Sequence, residues 1–441
     1  MERTISLKLR EWSDSTDRKP LLVRGARQVG KTFSIRMLGS SFKYFIEVNF
    51  DFDVAVRQFF AATLDPATLC EKLSGFYSIP CIPGKTLLFF DEIQSCPQAI
   101  QSLRYFYERM PDMHVIAAGA LLEFALEQLP SFGVGRISSL YMYPMTFKEF
   151  VVAIAGAQSA ALLKIPGKGT VIDPVFHAKF LDLFRTYGIV GGMSAVVKLY
   201  KEKNDLSKCR SLLDELLATF KDDFAKYKTR ISQLKLFETL KSAVLQAGCK
   251  FTYARIADTG PQTAYKQALD LLEMAGLIHK VYHTSGNGIP LGAQINAKKF
   301  KVIPLDLGLH QRLLGLELSE LLTDPMVEFI NKGSIAEIFA GLELCAGGAS
   351  DSACQLYYWH REARSSNAEV DYLLQKGADI VPLEVKSGKR GSMQSMSVFM
   401  SEHKSRYGIR LSLENCSRYK DIAVIPLYLA GNVVSFSHGS L

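Results

Sequence analysis

Residues 21–39 read LLVRGARQVGKTFSIRMLG, and this stretch decides the fold of the first third of the chain. The apolar run Leu21–Val23 predicts a buried strand, and the apolar positions after Thr32 predict a helix. Between them lies the pattern G-x-x-x-x-G-K-T, from Gly25 to Thr32. Its glycines let backbone N–H groups curl around phosphates, the helix N-terminus favours negative charge, and the Lys31 ammonium reaches the outer phosphates. The stretch therefore predicts a loop that binds the phosphates of a nucleotide.

A second motif lies downstream, where four apolar residues, Leu87–Phe90, predict a buried strand that ends in Asp91 and Glu92. Together with the loop, this strand predicts ATP binding and hydrolysis. Thr32 and Asp91 are expected to hold Mg²⁺ and its water shell, and Glu92 to polarise the attacking water. The predicted nucleotide-binding residues are Gly25, Ala26, Arg27, Gln28, Val29, Gly30, Lys31, Thr32 and Asp91.

Two further features bear on hydrolysis. The next predicted strand ends in Ala118-Gly119-Ala120, which offers no side chain that can hydrogen-bond to the γ-phosphate, so we expect slow turnover. Downstream, Arg136 opens another strand-like stretch and is a candidate catalytic residue, acting on the triphosphate of its own or a neighbouring subunit. The alternative is that Arg136 is a solvated or ion-paired surface arginine.

The organisation of the chain changes after this region. Apolar runs at 20–24, 45–48, 86–90 and 114–118 alternate with helical stretches, which predicts an α/β domain with a parallel sheet. From 176 to 246 a helical periodicity dominates.

The region that follows suggests a winged-helix module. A short helix at Tyr253–Asp258, a turn at Thr259–Pro261 and a long helix at Gln262–Ala275 come before a strand and a Gly-rich hairpin. The long helix offers only Lys266 as a basic residue, against two acidic ones. A protein-docking or structural role is therefore as open as DNA reading.

Composition sets broad limits on the 441-residue chain. No apolar run approaches the ~18–20 residues of a transmembrane helix, and the N-terminus lacks the apolar core of a signal peptide. We expect a cytoplasmic protein with no membrane partner, and its eight cysteines as reduced, buried thiols. The net charge of +8 permits a nucleic-acid partner without requiring one.

Near the C-terminus, two strand-like runs, 369–375 and 380–386, are joined by a turn-compatible tetrapeptide. A hairpin centred between Gly377 and Ala378 places Asp371 opposite Glu384, and Glu369 opposite Lys386. All four side chains then share one face, because side chains alternate along a strand. Pro382 lies within the second run and could shift this register.

Two carboxylates that oppose each other across a ladder repel unless a cation lies between them. Asp371 and Glu384 therefore predict a Mg²⁺ or Mn²⁺ site, in which Lys386 orients a nucleophilic water. The alternative is a cross-strand ion pair between Glu369 and Lys386, with the two acidic residues facing water.

The ordered motifs RGARQVGKT, LLFFDEIQ, YPMTFKEF, YGIVGGMSAVV, PLDLGLHQRLLG, EVDYLLQ and PLEVKSGK extend over nearly the whole chain. In this combination the chain resembles prokaryotic AAA+-like P-loop ATPases, related to archaeal and STAND-type ATPases, that carry a C-terminal restriction-endonuclease-like domain of unknown function. The resemblance implies an ATPase domain over 1–175, a helical lid and winged-helix region over 176–324, and a PD-(D/E)-x-K nuclease-like α/β domain over 325–441.

The resemblance also bears on individual residues. It implies that Glu337, on a helix, completes the metal site of Asp371 and Glu384. The chain departs from the family pattern at Ala118-Gly119-Ala120, where Thr-Gly-Ser is typical, and this departure again favours inefficient hydrolysis.

Two functions remain open at this point. One is a Mg²⁺-dependent ATPase coupled to a nuclease-like domain that acts on nucleic acid, with DNA as a partner. The other is a nucleotide-dependent switch or scaffold, which binds a protein or a second copy of the chain through an inactive nuclease-like domain. Residues 325–441 contain 12 Lys+Arg and 12 Asp+Glu, and this balance favours the switch, because binding to a phosphate backbone ordinarily needs a basic surface.

Overall fold

The computed structural model describes residues 3–127, 135–167, 170–226, 231–256, 262–316, 333–362, 368–386 and 393–436. They form two compact units. The first unit comprises Met1–Tyr143, Met274–Gly276 and Ala349–Ala353, and the second comprises Pro144–Glu273, Leu277–Gly348 and Cys354–Leu441.

The first unit contains a five-stranded sheet in which every pairing is parallel. Its strands, which lie in the order β2-β3-β4-β1-β5, are β1 Leu21–Arg24, β2 Tyr44–Asn49, β3 Thr86–Asp91, β4 His114–Ala118 and β5 Ser138–Tyr141. The helices between them are α1 Ile5–Asp14, α2 Lys31–Gly39, α3 Arg57–Ala62, α4 Pro66–Tyr77, α5 Pro97–Arg109 and α6 Leu122–Glu127. The parallel sheet and the four strands predicted for this region are confirmed.

The sheet is parallel because its central strands are apolar along their whole length. All six residues of β3 are buried, and so are all five of β4. A strand that is buried on both faces needs helices on both sides, and helical crossovers join parallel strands. In a parallel sheet all carboxyl ends meet at one edge, so the loop after β1 and the acidic residues after β3 emerge on the same side.

The second unit is rich in helices before its sheet begins. The described helices that lie wholly or mainly in it are α7 Phe147–Ala161, α8 Pro174–Val190, α9 Ser194–Lys203, α10 Leu206–Asp223, α11 Gln233–Leu245, α12 Gln262–Met274, α13 Leu307–Leu313, α14 Gly333–Gly347 and α15 Gln394–His403. The helical region predicted over 176–246 is confirmed.

An eight-stranded mixed sheet completes the second unit, in the order β12-β13-β11-β10-β9-β8-β6-β7. Its strands are β6 Ile278–Thr284, β7 Ile295–Pro304, β8 Leu356–His360, β9 Glu369–Lys376, β10 Asp379–Val385, β11 Gly408–Ser412, β12 Ser417–Tyr419 and β13 Ile422–Pro426.

The hairpin that was predicted to be the wing of a winged-helix module is part of the large mixed sheet instead. Strand β6 pairs with β7 on one side and, in parallel, with β8 on the other, so the hairpin is continuous with the C-terminal sheet. Hydrogen bonding on both edges of β6 explains this arrangement, because a strand with two partners is not the edge of a separate module. The boundary predicted between 324 and 325, and the turn predicted at 259–261, lie outside the described residues.

The prediction that all eight cysteines are reduced and buried is wrong for four of them. Cys345 and Cys354 form a disulfide, and among the six free cysteines Cys249 is exposed and Cys81 is half-buried. The Cα atoms of Cys345 and Cys354 lie 5.0 Å apart, a separation that a disulfide spans.

Among the helices of the described ranges, none has the length and apolar character needed to cross a bilayer.

Asp306 fixes a turn in the second unit. Its carboxylate, 1% exposed, accepts the N–H of Gly192 at 2.5 Å and that of Leu309, in the first turn of α13, at 3.0 Å. Gly191 has a φ of 74°, and a Cβ at this residue would lie 2.3 Å from Asp306 Oδ1. The stretches YGIVGG and PLDLG therefore form one buried contact, which needs both the glycine and the carboxylate.

Asp306→Ala is expected to lower the free energy of unfolding by about 2–4 kcal/mol. Loss of a helix N-cap costs about 0.5–2 kcal/mol, and an unpaired buried N–H costs about 1–3 kcal/mol. Urea unfolding measures the loss, and Asp306→Asn, which keeps one carbonyl acceptor, should lose less. Equal stability of Asp306→Ala and wild type would contradict this role.

Candidate functional site

The loop after β1 has the backbone geometry of a phosphate cradle. Gly25 has a φ of 136°, and a Cβ there would lie 2.1 Å from the carbonyl oxygen of Met142. Gly30, with a φ of 102°, lies directly before α2, and Gln28 also has a positive φ. Only glycine adopts the conformation at Gly25 without a clash, so this glycine is required by the fold of the loop. The loop leads into the N-terminus of α2, where anions bind favourably.

Lys31 crosses the inside of this loop. Its Nζ donates hydrogen bonds to the carbonyl oxygens of Gly25 and Ala26, both at 2.8 Å. The residue is only 8% exposed, and burial lowers the pKa of Lys31 to about 8, against the opposing charges of Glu92 and Asp91. A buried ammonium gains from an anionic partner, and phosphate oxygens can take the place of the two carbonyls.

Thr32 and Asp91 come together from α2 and β3. The Thr32 hydroxyl lies 3.4 Å from each carboxylate oxygen of Asp91, and Asn49 Nδ2 lies 3.4 Å from Asp91 Oδ2. Asp91 is 6% exposed, and burial raises its pKa to about 6. A hydroxyl and a desolvated carboxylate are the oxygen groups that Mg²⁺ prefers, so these two residues fit the predicted metal. The sequence analysis did not identify Asn49, whose only signal was its place at the end of a strand.

Glu92 follows Asp91 in a left-handed conformation, with a φ of 49°. Such a conformation costs about 1–3 kcal/mol for a residue other than glycine, and it is found mainly at functional sites. Glu92 Oε2 accepts a hydrogen bond from Gln94 Nε2 at 2.6 Å and from the N–H of Ala120 at 3.4 Å. The carboxylate is therefore held at the carboxyl edge of the sheet, as its predicted role requires.

Arg136 lies at the amino end of the strands of the same sheet, opposite to the end at which the phosphate loop lies. It precedes β5, which pairs in parallel with β1 such that Ser138 is level with Leu21, the first residue of β1. The loop that contains Lys31 leaves the opposite end of β1. Arg136 Nε lies 2.5 Å from Glu108 Oε1, on α5. This ion pair fits the alternative of an ion-paired surface arginine, and the length of the parallel strands separates Arg136 from the phosphate loop of its own subunit. A role of Arg136 toward a nucleotide stays a prediction.

In the second unit, the hairpin of β9 and β10 has the predicted register. The pairs run from Asp379 opposite Lys376 to Leu383 opposite Tyr372, and this pairing ends one residue before Asp371 and Glu384. Asp371 Oδ2 also accepts the N–H of Val385 at 2.8 Å. Pro382 is accommodated opposite Leu373 without a shift.

The cation beside these carboxylates is a lysine that the sequence analysis missed. Lys301, on β7, is 1% exposed. Its Nζ lies 2.7 Å from Glu337 Oε1, 2.5 Å from Glu369 Oε1 and 3.9 Å from Asp371 Oδ1. Lys386 instead pairs with Glu384, at 2.6 Å. We call Lys301, Glu337, Glu369 and Asp371 the lysine–carboxylate cluster.

The cluster changes the interpretation of the predicted metal site. Over the ranges that the structure describes, no three His, Cys, Asp or Glu side chains are placed to hold a metal ion, so Glu337, Asp371 and Glu384 do not form the expected site. The Lys301 ammonium pairs with Glu337, Glu369 and Asp371, whereas Glu384, the other carboxylate of the predicted site, pairs with Lys386. Burial raises the pKa of Glu337 to about 8 and also raises that of Asp371, while the charge of Lys301 opposes both shifts. The predicted ion pair between Glu369 and Lys386 is not formed either.

Three family matches cover most of the chain. Residues 17–151 match the family described as an AAA domain. Residues 181–320 match DUF8612 and residues 332–430 match DUF4143, each described as a domain of unknown function. The first unit therefore contains a P-loop ATPase-like AAA domain, and the nuclease-like character of the C-terminal region stays a prediction. A search of curated proteins gives no match.

Several solved structures resemble the chain at low identity. A Walker-type ATPase of Pyrococcus abyssi is 14% identical, over 70% of this chain and 94% of that one, with a TM-score of 0.44. The ORC1 protein of Aeropyrum pernix, in complex with DNA, is 12% identical over 75% and 95%, with a TM-score of 0.28. A STAND protein of Pyrococcus horikoshii with a tetratricopeptide-repeat sensor is 14% identical over 77% and 48%, with a TM-score of 0.27. Similarities this distant do not assign a ligand or partner to this chain.

Proposed function

We propose that the first unit binds ATP and hydrolyses it with Mg²⁺. The observation that carries this proposal is the convergence of Lys31, Thr32, Asp91 and Glu92 at the carboxyl edge of one parallel sheet. Each of these residues has the chemistry that one part of the reaction needs. The match to an AAA domain over 17–151 supports the proposal.

The roles follow from the charges and hydrogen bonds of the site. The loop N–H groups and the Lys31 ammonium bind the β- and γ-phosphates. Thr32 and Asp91 hold Mg²⁺, which when bound neutralises charge that develops on the phosphates. Glu92 accepts a proton from the attacking water, and its Oε1 faces no donor among the hydrogen bonds described for it. Arg136, at the opposite edge, retains only a proposed role toward the nucleotide of a neighbouring subunit.

Glu92→Gln is expected to keep ATP binding and to lower turnover about 10²- to 10⁴-fold, the usual contribution of a general base. The amide is close in size to the carboxylate but cannot accept the proton. Phosphate release gives turnover, and a fluorescent ATP analogue gives affinity. Glu71→Gln, at an exposed residue of α4, is the matched control. Turnover of Glu92→Gln at the wild-type rate would remove Glu92 from the mechanism.

For the C-terminal region we propose a binding role without cleavage. The lysine–carboxylate cluster favours this second function, because a buried ammonium pairs with Glu337 and Asp371, two of the three carboxylates predicted to hold a divalent ion. The nucleotide state of the first unit is proposed to control this binding, as in the switch described above. The sequence modules 1–175, 176–324 and 325–441 remain our proposal for how these activities are distributed. Whether the ligand is DNA, a protein or a second copy of the chain is decided by binding assays on the ATP-trapping variant Glu92→Gln.

A further inference from the structure

The carboxyl end of β4 and the two residues after it carry no polar side chain. The sheet order places β4 between β3 and β1, so residues 118–120 lie between the acidic residues after β3 and the phosphate loop after β1. Ala118 and Ala120 have only methyl side chains, and Gly119 has none. The backbone N–H of Ala120 lies 3.4 Å from Glu92 Oε2, but any polar side chain that acts at this place must come from elsewhere in the chain.

The side chain of Gln94 fills the space at Gly119. A Cβ on Gly119 would lie 1.9 Å from Gln94 Oε1 and 3.1 Å from Gln94 Cδ. No left-handed φ explains the glycine, because Gly119 is not among the residues with a positive φ. Gly119 therefore leaves room for the Gln94 amide, and a side chain at this residue would displace the end of the Gln94 side chain.

The orientation of this amide is fixed by Glu92. Gln94 Nε2 donates to Glu92 Oε2 at 2.6 Å, whereas Gln94 Oε1 is buried and has no hydrogen-bond partner in the described part of the chain. The reverse orientation would place the amide oxygen against a carboxylate oxygen. An unpaired buried acceptor is unfavourable, so the bond to Glu92 decides the arrangement. One oxygen of Glu92 is thereby held, and the other is left for a water.

We propose that Gln94 is the positioning residue for hydrolysis, acting through Glu92 and taking the place of the polar side chain that β4 lacks. The inference rests on the proposed ATPase function and adds to it a residue and a steric partner, Gly119. Gln94 orients the carboxylate that accepts the proton, so its loss should slow the chemical step and leave ATP binding intact.

The test uses two single variants and their combination in the full-length chain. Gln94→Ala is expected to lower kcat about 10- to 100-fold, while KM and ATP affinity stay within about twofold of wild type. Gly119→Ser should lower kcat as well, because its Cβ meets the Gln94 amide. In the double variant the space is free and the serine hydroxyl can reach Glu92, so kcat should rise several-fold above that of Gln94→Ala. Gln101→Ala, at an exposed residue of α5, is the matched control.

Wild-type kcat in Gln94→Ala would overturn the inference, and so would a double variant as slow as the slower single variant. Unchanged ATP affinity in each variant shows that the first unit is folded, so a slow variant cannot be attributed to misfolding. A wild-type chain that binds ATP without turnover would instead contradict the proposed function itself. That result is seen with the wild type alone, so it is distinct from a failure of the inference about Gln94.

Discussion

Replacing Lys31 by alanine is expected to weaken ATP binding about 10- to 150-fold. A hydrogen bond to a charged group contributes about 1.5–3 kcal/mol, which corresponds to that range in Kd. Lys31 also hydrogen-bonds to the carbonyl oxygens of Gly25 and Ala26 across the phosphate loop. Its removal therefore takes away the positive charge that binds phosphate and two hydrogen bonds that hold the loop in its conformation. Lys85→Ala, at an exposed lysine just before β3, controls for the loss of one positive charge from the same unit.

Titration of a fluorescent ATP analogue measures this effect. Lys31→Arg is informative beside it, because it keeps the charge on a bulkier, planar group that fits the buried cradle poorly. We expect Lys31→Arg to bind ATP more weakly than wild type. An alanine variant that binds ATP as tightly as the wild type would show that the nucleotide lies elsewhere.

Replacing Lys301 by methionine is expected to lower the free energy of unfolding by about 3–5 kcal/mol. Removal of one partner from a buried ion pair leaves the other charges uncompensated, and here three carboxylates remain. Lys299→Met is the matched control on the same strand, because Lys299 pairs with Glu362 at a more exposed position. Exposed pairs contribute about 0–1 kcal/mol, so the control should be close to wild type.

The loss in Lys301→Met should depend on pH in one direction. Burial raises the pKa of Glu337 and that of Asp371 even though the charge of Lys301 lowers both, so removal of the ammonium raises both pKa values further. A raised pKa means that the folded state binds protons more tightly, so stability from this source is present at low pH and is lost as pH rises through the folded pKa values. The variant should therefore recover part of its stability at about pH 5.

The effect of Mn²⁺ on the Tm of Lys301→Met provides a second test of the role of Lys301. Without the ammonium, Glu337 and Glu369 lose the cation that lies within 2.7 Å of their oxygens, and a divalent ion is a replacement for its charge. Mn²⁺ at about 100 times its Kd would stabilise the fold by about 2.7 kcal/mol. We expect Mn²⁺ to raise the Tm of Lys301→Met and to leave that of the nucleotide-free wild type unchanged. An equal rise in the wild type would show that a metal site exists beside Lys301, and would restore the nuclease-like interpretation.

The parts of the fold that could be predicted are those set by local sequence. The phosphate loop, the end of β3 and the register of the β9–β10 hairpin each depend on residues that are close along the chain. The four-residue turn was enough to set the register from Asp379 opposite Lys376 to Leu383 opposite Tyr372. Pro382 did not disturb this register, although proline inside a strand weakens such a prediction.

The remaining parts depend on contacts between distant segments. Lys301, on β7, lies near the carboxylates because β6 pairs with both β7 and β8, which joins β7 to the C-terminal sheet. No local sequence pattern predicts that pairing. The same pairing is why the hairpin taken for a wing belongs to the C-terminal sheet. The alternatives for Arg136 stayed open in the sequence because a motif states which residues are present and not which end of a strand they occupy. Gln94 was overlooked although it stands in the quoted motif, because its role depends on the missing side chain of Gly119.

The most direct test of the central claim is phosphate release from ATP by the purified full-length chain with Mg²⁺, with Lys31→Ala prepared identically as the blank. The claim predicts steady release by the wild type that is lost in the blank and on chelation of Mg²⁺. Equal release by the two preparations would contradict it, because the activity would then not come from this loop.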